Sequence, residues 1–345
     1  MRAASRPHAH DTTRLLLVDP QSDSFADRRF GDLVDLLAPG DLIVVNDAAT
    51  LPASLAARLG DEPLELRLTR PPDPHLHAVV FGRGDWRTRT EDRPAPPPIH
   101  PADTLHIGDR AARVVAVRGR LVELALEDPW DPIYRYGRPV QYSYLADPLS
   151  LAHAQTPYAT RPWAVEMPSA GRPLTARTLL ALRRRGVAVA TLTHAAGLSA
   201  TGDAVLDASL PWPERYDLPA ATLGAIARTH DAGGRVIAVG TTVVRALEGA
   251  ARAAWRPGPG ETSLVIDRDT TPLIVDGLLT TMHEPDESHY RLLLAFAPAP
   301  LLAAAHAHAE RADYHAHELG DAMVVMRGSL PREPVEVRIN DRVGP

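Results

Sequence analysis

The sequence contains no cysteine and no lysine, and all 37 of its basic residues are arginines. Without cysteine the chain has no disulfide framework, no thiolate nucleophile and no cysteine-ligated zinc site. Without lysine it has neither a Schiff-base amine nor the lysine of a phosphate-binding loop. The abundant Ala and the 33 Pro residues indicate coding bias from a GC-rich genome rather than a functional signature.

Long apolar runs and excess positive charge are also missing. No run approaches the roughly 18 apolar residues that span a bilayer, and the charged N-terminal stretch is not followed by the apolar segment of a signal peptide. We therefore expect a cytoplasmic protein with no membrane contact. The formal net charge of -6 provides no global attraction to nucleic acid, so such a partner needs a local basic patch. Arg183, Arg184 and Arg185 are the densest candidates, although three arginines also suit the C-terminus of a helix.

The 345 residues are enough for two domains, and the character of the sequence changes twice along the chain. Residues 14–56 indicate a strand, a turn, a helix and a second strand. Residues 57–148 contain short alternating segments separated by Pro, Gly and Asp, which is typical of a small barrel or sandwich. We predict an α/β fold: a large, barrel-like α/β catalytic domain, formed by residues 1–56 and 149–345, interrupted by a β-rich small-barrel domain at 57–148.

Several element boundaries follow from local signals in the second half of the chain. Thr175 can cap a helix that Gly186 ends, and Pro219 stands where another helix begins. Apolar runs predict short strands at residues 263–266 and 273–275, and an Ala-rich helix follows from about residue 300.

The segment RVIAVGTTVVRALE, residues 235–248, carries the most information. It predicts a buried strand, a tight glycine turn and a helix that begins with two hydroxyl side chains. Backbone N–H groups and the positive end of the helix dipole at such a turn suit an anionic or carboxylate-bearing ligand. Two simpler interpretations remain open: Thr241 or Thr242 only caps the helix, and Arg245 with Glu248 forms an intrahelical pair.

This segment, with the two glycines before it, resembles the most characteristic stretch of the S-adenosylmethionine:tRNA ribosyltransferase-isomerases of queuosine biosynthesis, GGRVIAVGTTSVRxLE. The resemblance is collinear over nearly the whole chain. The further matching blocks are GDLIVVND ending at Asn46 and Asp47, PSAG at residues 168–171 for the family's PTAG, DGLLT at 276–280 followed by His283 and Pro285 for DALLTNFHLP, and GDAM at 320–323 for YGDAM. The chain is similar to a diverged branch of this family.

The departures from the family pattern concentrate on residues that can contact RNA. Ala49 and Ser54 stand where the family has arginines, and Pro173 stands where it has a histidine. The family's HLPxST is HEPDES here, which introduces Glu284, and FFSYGDAM is HELGDAM, in which Leu319 replaces an aromatic residue. Lost arginines and aromatics weaken RNA contacts. The acceptor is therefore either a tRNA base or a small molecule.

The resemblance implies a transferase-isomerase that moves the ribosyl part of S-adenosylmethionine onto 7-aminomethyl-7-deazaguanine in tRNA. The product is epoxyqueuosine, and adenine and methionine are released. Protons beside a sulfonium are acidic, so a positioned carboxylate or imidazole can form an ylide at the 5′ carbon. S-adenosylmethionine is thus the co-substrate, and the reaction requires no metal and no redox cofactor.

The matched blocks supply the candidate site residues that the resemblance implies. The candidate catalytic bases are His283, Asp321, Glu248 and Asp47. The candidate residues for holding S-adenosylmethionine are Gly240, Thr241, Thr242, Arg245, Asn46, Ser169 and Gly171. Each candidate base also has a structural interpretation, such as capping. Glu284 and His289 fall outside the family pattern and are either an added acid–base pair or solvated loop residues.

Other function classes fit the sequence less well. A metal hydrolase is disfavoured because His283-Glu284-Pro285 is not HExxH and its proline prevents the required helix. A serine hydrolase is disfavoured because GLSAT, residues 197–201, lacks the last glycine of a nucleophile elbow. A non-catalytic binding protein on the same scaffold stays open. We expect a monomer or a weak oligomer.

Overall fold

The computed structural model describes residues 1–8 and 12–327. Its strands in the N-terminal half are β1 (Arg2–Ala3), β2 (Arg14–Asp19), β3 (Ser24–Arg29), β4 (Leu42–Asn46), β5 (Ala48–Thr50), β6 (Ser54–Leu59), β7 (Glu62–Leu68), β8 (Leu76–Phe81), β9 (Thr104–Ile107), β10 (Arg110–Arg118), β11 (Leu121–Ala125) and β12 (Arg161–Ala164). Those in the C-terminal half are β13 (Ala188–His194), β14 (Glu214–Leu218), β15 (Val236–Val239), β16 (Gly258–Thr262), β17 (Gly277–Thr281), β18 (His315–Ala316) and β19 (Ala322–Met326).

The helices are mostly short and fall between these strands. They are α1 (Leu33–Leu36), α2 (Trp130–Tyr136), α3 (Ala176–Arg184), α4 (Ala204–Asp207), α5 (Ala220–Asp231), α6 (Thr241–Ala253), α7 (Ser288–Leu293) and α8 (Ala299–Arg311). Among residues 1–8 and 12–327, none is long and apolar enough to cross a membrane.

In the described part of the chain, a mixed sheet of nine strands forms the main body, in the order β16-β14-β13-β4-β15-β17-β19-β2-β3. Its centre is parallel, because β13, β4, β15 and β17 run in one direction. Both faces are covered, which explains the continuous apolar runs of these strands. In β4, Leu42 and Val44 join the core that contains α5 and α6, whereas Ile43 and Val45 join the core that contains α3.

The second body is a closed barrel of six antiparallel strands, β6 to β11, with its own apolar core. It begins at Ser54 and its last strand ends at Ala125. The chain is therefore mixed α/β with a small β-barrel, which confirms this part of the predicted fold. The domain boundaries at residues 57 and 148 stay a prediction, and the last part of the predicted 149–345 segment, residues 328–345, lies outside the described residues.

Three predictions about the larger body were wrong. The nine-stranded sheet is not barrel-like: within the described residues it is open, with β16 and β3 at its two edges. The strand expected at 263–266 is displaced to Gly258–Thr262, because an edge strand tolerates the proline that marked this segment as a loop. Residues 273–275 are not a strand, because their N–H groups bind the carboxylate of Glu248 instead of a neighbouring strand.

The helix boundary signals were correct. The side chain of Thr175 accepts a hydrogen bond from Thr178 N at 3.1 Å, and α3 ends before Gly186, whose φ of 86° is favourable for glycine. Helix α5 starts directly after Pro219. Helix α8 lies where the Ala-rich segment predicted it.

The parallel centre of the sheet brings several strand ends to one edge. The register pairs Leu192 with Asn46, and Val239 with both Val45 and Leu279, so β4, β13, β15 and β17 end at nearly the same level. Ligands of open α/β sheets bind beyond the carboxyl ends of such strands. This C-terminal edge is therefore where a site is expected.

Candidate active site

The turn between β15 and α6 lies at the C-terminal edge of the sheet. Gly240 has a φ of 91°, in the region that glycine adopts most readily, and its N–H donates to Leu279 O at 2.8 Å. Gly240 is itself the N-cap of α6, and within residues 1–8 and 12–327 no side-chain capping hydrogen bond is formed at the start of this helix. The capping interpretation of Thr241 and Thr242 is therefore wrong, and the positive end of a 13-residue helix is left for a ligand.

Asn46 joins two of the strand ends. Its side-chain oxygen accepts from His194 N at 2.9 Å and from Ala48 N at 3.1 Å, and its amide nitrogen donates to His194 O at 3.0 Å. The same nitrogen lies 3.4 Å from the hydroxyl of Thr242. Asn46 thus fixes the spacing of β4, β13 and the Gly240 turn.

Asp47 follows Asn46 and lies partly exposed at the same edge. Its carboxylate accepts a hydrogen bond from Thr193 Oγ1 at 2.6 Å. The nearby charge of Asp47 adds to burial in raising the pKa of Tyr158. Asp47 therefore faces the candidate site with one carboxylate oxygen oriented by a hydroxyl.

A buried ionic cluster lies behind the turn. Arg245 Nη1 donates to the carboxylate of Glu214, and Arg245 Nε donates to Leu264 O at 3.1 Å. Glu214 also accepts from Gly197 N at 2.8 Å, and its other oxygen lies 3.3 Å from His194 Nε2. Arg245 consequently pairs with Glu214 and not with Glu248, which corrects the predicted intrahelical pair.

Part of this cluster has polar atoms without partners. Within the described residues, Arg245 Nη2 and both ring nitrogens of His194 are buried and make no hydrogen bond. The 3.3 Å approach of His194 to Glu214 has the distance of an ion pair but not the geometry of a hydrogen bond. Burial lowers the pKa of His194 to about 4, so its imidazole is neutral at neutral pH. Buried polar atoms without a hydrogen-bond partner are rare in folded proteins. A bound ligand could supply the missing partners of Arg245 and His194.

The PSAG block lies against the turn. Ser169–Gly171 forms a single helical turn, and a Cβ on Gly240 would lie 3.6 Å from Ala170 Cβ. A Cβ on Gly171 would lie 1.8 Å from the hydroxyl oxygen of Tyr158, so a larger residue requires the Tyr158 side chain to move. The predicted residues Ser169 and Gly171 are therefore near Gly240 through their backbone.

A cluster of imidazoles and carboxylates follows β17. His283 Nε2 lies 2.8 Å from Thr280 Oγ1, and its Nδ1 lies 3.4 Å from Glu287. The ring of His289 stacks on that of His283 with centroids 4.9 Å apart, and His317 Nδ1 approaches Glu287 at 3.5 Å. Burial and His283 lower the pKa of His289 to about 4. Sequence reasoning had identified His283 and His289 but not Glu287 or His317.

Glu284, the other residue outside the family pattern, makes different contacts. It pairs with His306 at 3.2 Å and with the amino group of Met1 at 2.8 Å. It is therefore neither a partner of His289 nor a free loop residue.

Two candidate bases have their carboxylates occupied by backbone. Glu248 is fully buried and accepts from the N–H groups of Leu273, Ile274 and Val275 at 2.8 to 3.0 Å. Asp321, also buried, accepts from Arg14 N and His315 N, both at 2.9 Å. We do not retain either as a base.

The predicted basic surface is not beside this edge. Arg183 to Arg185 lie at the end of α3, before the start of β13, roughly 20 Å from the C-terminal edge at about 3.3 Å per residue. Arg185 donates to Leu37 O at 2.9 Å, as expected of a residue that closes a helix. Arg172 is buried and donates to His8 O.

A different groove, missed by sequence reasoning, does adjoin the edge. It encloses about 140 Å³ between the barrel and the sheet, enough for roughly five water molecules. Its lining consists of prolines, two tryptophans, an arginine, an aspartate and an alanine: Pro71, Pro72, Asp73, Trp130, Pro162, Trp163, Ala195 and Arg215. The guanidinium groups of Arg161 and Arg215 lie 5.7 and 5.4 Å from the Trp163 ring. Ala195 follows His194, which links the groove to the cluster behind the turn.

A buried acid in a neighbouring pocket was also missed. Burial raises the pKa of Glu166 to about 7, although Tyr142 Oη and Ser199 N both donate to it. It lies just before the PSAG block, and its only sequence signal is an acid in an apolar stretch.

Comparisons with known proteins agree with this architecture. Residues 1–325 match the family model described as "Queuosine biosynthesis protein". A relative from Acaryochloris marina, named S-adenosylmethionine:tRNA ribosyltransferase-isomerase, is 35% identical over 345 residues, covering 96% of this chain and 91% of the relative. One of the same name from Acidithiobacillus ferrooxidans is 35% identical over 325 residues, covering 90% of each chain.

A solved structure shares the fold. The crystal structure of the S-adenosylmethionine tRNA ribosyltransferase from Thermotoga maritima aligns with 94% of this chain and 96% of its own, with a TM-score of 0.53 and 23% identity. The fold, the full-length family match and the relatives' identity lead to one assignment. This chain belongs to the queuosine biosynthesis protein family, the family of the S-adenosylmethionine:tRNA ribosyltransferase-isomerases.

Proposed function

We propose that the protein is an S-adenosylmethionine:tRNA ribosyltransferase-isomerase. It transfers the ribosyl part of S-adenosylmethionine to 7-aminomethyl-7-deazaguanine in tRNA, yielding epoxyqueuosine, adenine and methionine. The observation that carries the proposal is the Gly240 turn. It combines an uncapped helix start with the orphaned Nη2 of Arg245, at the edge where four parallel strands end. The relatives bear the name of the same activity.

The first step is binding of S-adenosylmethionine at this turn. Its methionine carboxylate suits the N-terminus of α6 and the free Nη2 of Arg245, because both offer N–H donors and positive charge. The hydroxyl of Thr242 is available to a sugar hydroxyl or to the carboxylate. The Ser169–Gly171 segment borders the site, since a Cβ on Gly240 would lie 3.6 Å from Ala170 Cβ.

We assign proton abstraction at the 5′ carbon to Asp47. Of the four candidate carboxylates and imidazoles, it combines partial exposure with a single orienting hydrogen bond, from Thr193. A general base needs both an accessible lone pair and a fixed direction. His283 is the second candidate. Its Nε2 is held by Thr280, so it can act as a base only when its Nδ1 is released from Glu287, 3.4 Å away.

The acceptor base is proposed to enter through the Trp163 groove. Trp163 offers a ring for stacking, and Arg161 and Arg215 add positive charge at its edge. Arg161 is paired with Asp217 and Arg215 with Asp73, so a phosphate must compete with these carboxylates. Stacking on aromatic rings is the usual way in which proteins hold unpaired RNA bases.

The test is incubation of the protein with S-adenosylmethionine and a tRNA bearing the 7-aminomethyl base. We expect release of one adenine per modified tRNA, and epoxyqueuosine in the digested nucleosides. Omission of tRNA is the control. If S-adenosylmethionine binds but tRNA is neither bound nor modified, a small-molecule acceptor replaces tRNA in the proposal. If S-adenosylmethionine does not bind, the assignment of this activity is wrong.

A further inference from the structure

The cluster after β17 has a composition that the ribosyl transfer does not need. One ligand atom from each of His283, Glu287 and His289 lies within 4.8 Å of the other two. Two imidazoles and one carboxylate form the ligand set of many catalytic zinc sites, which leave a fourth position open. We propose that His283, Glu287 and His289 bind a single divalent metal ion of the zinc type.

The distances are close to those that a metal ion requires. Zinc binds imidazole nitrogen and carboxylate oxygen at about 2.0 to 2.2 Å, so its ligand atoms lie at most about 4.4 Å apart. The His283–Glu287 separation of 3.4 Å already falls within this range. In a tetrahedral site the ligand atoms lie about 3.4 Å apart, so separations of up to 4.8 Å have to shorten by as much as about 1.4 Å. Rotation of side chains on a loop and a helix start can supply this.

The surroundings orient the ligands as in metal sites. Metal-binding histidines usually have their second ring nitrogen hydrogen-bonded, which fixes the tautomer. Thr280 Oγ1, 2.8 Å from His283 Nε2, does this and directs Nδ1 toward Glu287. Glu284 N donates to Glu287 at 3.2 Å and holds its carboxylate in place. His317 Nδ1 lies 3.5 Å from the other oxygen of Glu287 and adds a third imidazole beside the proposed ligands.

Local charge also favours a cation. Glu287 places a carboxylate among three imidazoles, those of His283, His289 and His317. The nearby guanidinium of Arg245 is paired with Glu214. The alternative that the experiment must separate is a direct contact of His283 Nδ1 with Glu287, 3.4 Å apart, with no metal between them.

The experiment is titration of Co²⁺ into the chelator-treated full-length protein, followed by visible absorption and by calorimetry, with Zn²⁺ as competitor. We expect one Co²⁺ per chain, displaced by Zn²⁺. Thr280→Val should weaken binding about 10- to 100-fold, as removal of an outer-shell partner does, and His289→Ala should weaken it further. His315→Ala is the matched control, because His8, His315 and Asp321 form a second cluster of similar composition.

Each outcome decides the proposal. Loss of binding in His289→Ala, with His315→Ala within twofold of wild type, supports it. Absence of Co²⁺ binding, or binding that is lost only in His315→Ala, overturns it. Glu287→Gln, which preserves side-chain size, gives the same test if His289→Ala does not fold, as judged by circular dichroism. The readout is metal binding itself, so it does not depend on the ribosyl-transfer activity.

Discussion

Replacement of Glu248 by alanine tests whether this residue is structural, as its contacts indicate, or catalytic. Its buried carboxylate accepts three backbone N–H groups, from residues 273, 274 and 275, and a hydrogen bond from Arg252 at 2.6 Å. Alanine removes the acceptor of all four donors, three of which are backbone N–H groups that only entering water could then satisfy. An unsatisfied buried donor costs about 1 to 3 kcal/mol, and part of the total is recovered because no carboxylate has to be desolvated.

We therefore expect Glu248→Ala to reduce the free energy of unfolding by about 4 kcal/mol, near the upper end for single substitutions. At roughly 2 °C per kcal/mol for a large domain, the thermal midpoint should fall by about 8 °C. Differential scanning calorimetry measures this shift. Glu261→Ala is the matched control, since Glu261 is exposed on β16, and its midpoint should change by less than 1 °C, or about 0.5 kcal/mol.

The reasoning is refuted if Glu248→Ala melts within about 2 °C of the wild type. It is also refuted if the variant keeps its stability but loses adenine release, since that pattern belongs to a catalytic base. Binding of S-adenosylmethionine to the folded variant should change little, because Glu248 lies two helical turns from the Gly240 turn.

Three further predictions concern the site and its edge. The pKa of His194 is about 4 in the fold and roughly 6.5 when unfolded, so the unfolded chain binds more protons in between. The contribution of His194 to the free energy of unfolding should be complete above about pH 6.5 and should decrease by up to roughly 3 kcal/mol as the pH falls toward 4. In urea unfolding experiments at a series of pH values, His194→Gln should reduce this pH dependence. Trp163→Ala should weaken binding of the modified tRNA by about 1 to 3 kcal/mol, or roughly 5- to 150-fold, in filter binding, whereas Arg183→Ala should have no such effect. An equal loss of tRNA affinity in both variants would mean that the RNA does not bind at the groove beside Trp163. Gly240→Ala, strained at a φ of 91°, should lose S-adenosylmethionine affinity, while Gly233→Ala, at a φ of 75° but remote from the site, should retain it in calorimetry.

The elements of the fold that could be predicted from the sequence are those marked by neighbouring residues, such as a helix cap, a terminating glycine or an apolar run. Helix α3 is bounded by Thr175 and Gly186, and β15 is a run of apolar residues buried on both faces. The barrel followed from short alternating strands. The open form of the large sheet was not predictable from such signals, because closure depends on whether two distant edges meet. The Gly258–Thr262 strand was missed because its register is set by pairing with β14 and not by its own composition.

In the candidate site, too, features that are local in sequence could be predicted and contacts between distant elements could not. The Gly240 turn and Arg245 were found because strand, glycine and helix adjoin in sequence. Glu214 and Glu287 were not, since each acquires its role from residues of other elements that only the tertiary structure brings near. The structural contacts of Glu248 could not be predicted for the same reason: the residues whose N–H groups it accepts are 25 to 27 positions away along the chain. Arg183 to Arg185 were grouped by sequence, but the direction of β13 places them at the opposite edge.

The most direct test of the S-adenosylmethionine site is calorimetric titration of S-adenosylmethionine into the wild type, Arg245→Lys and Arg252→Lys. Lysine at 245 can still pair with Glu214 but removes the orphaned Nη2 donor. Arg252 lies on the same helix and pairs with Glu248, which makes it the matched control. We predict an affinity about tenfold lower for Arg245→Lys, equal to about 1.4 kcal/mol, and an unchanged affinity for Arg252→Lys. Equal affinities in all three proteins would contradict the placement of S-adenosylmethionine at the Gly240 turn.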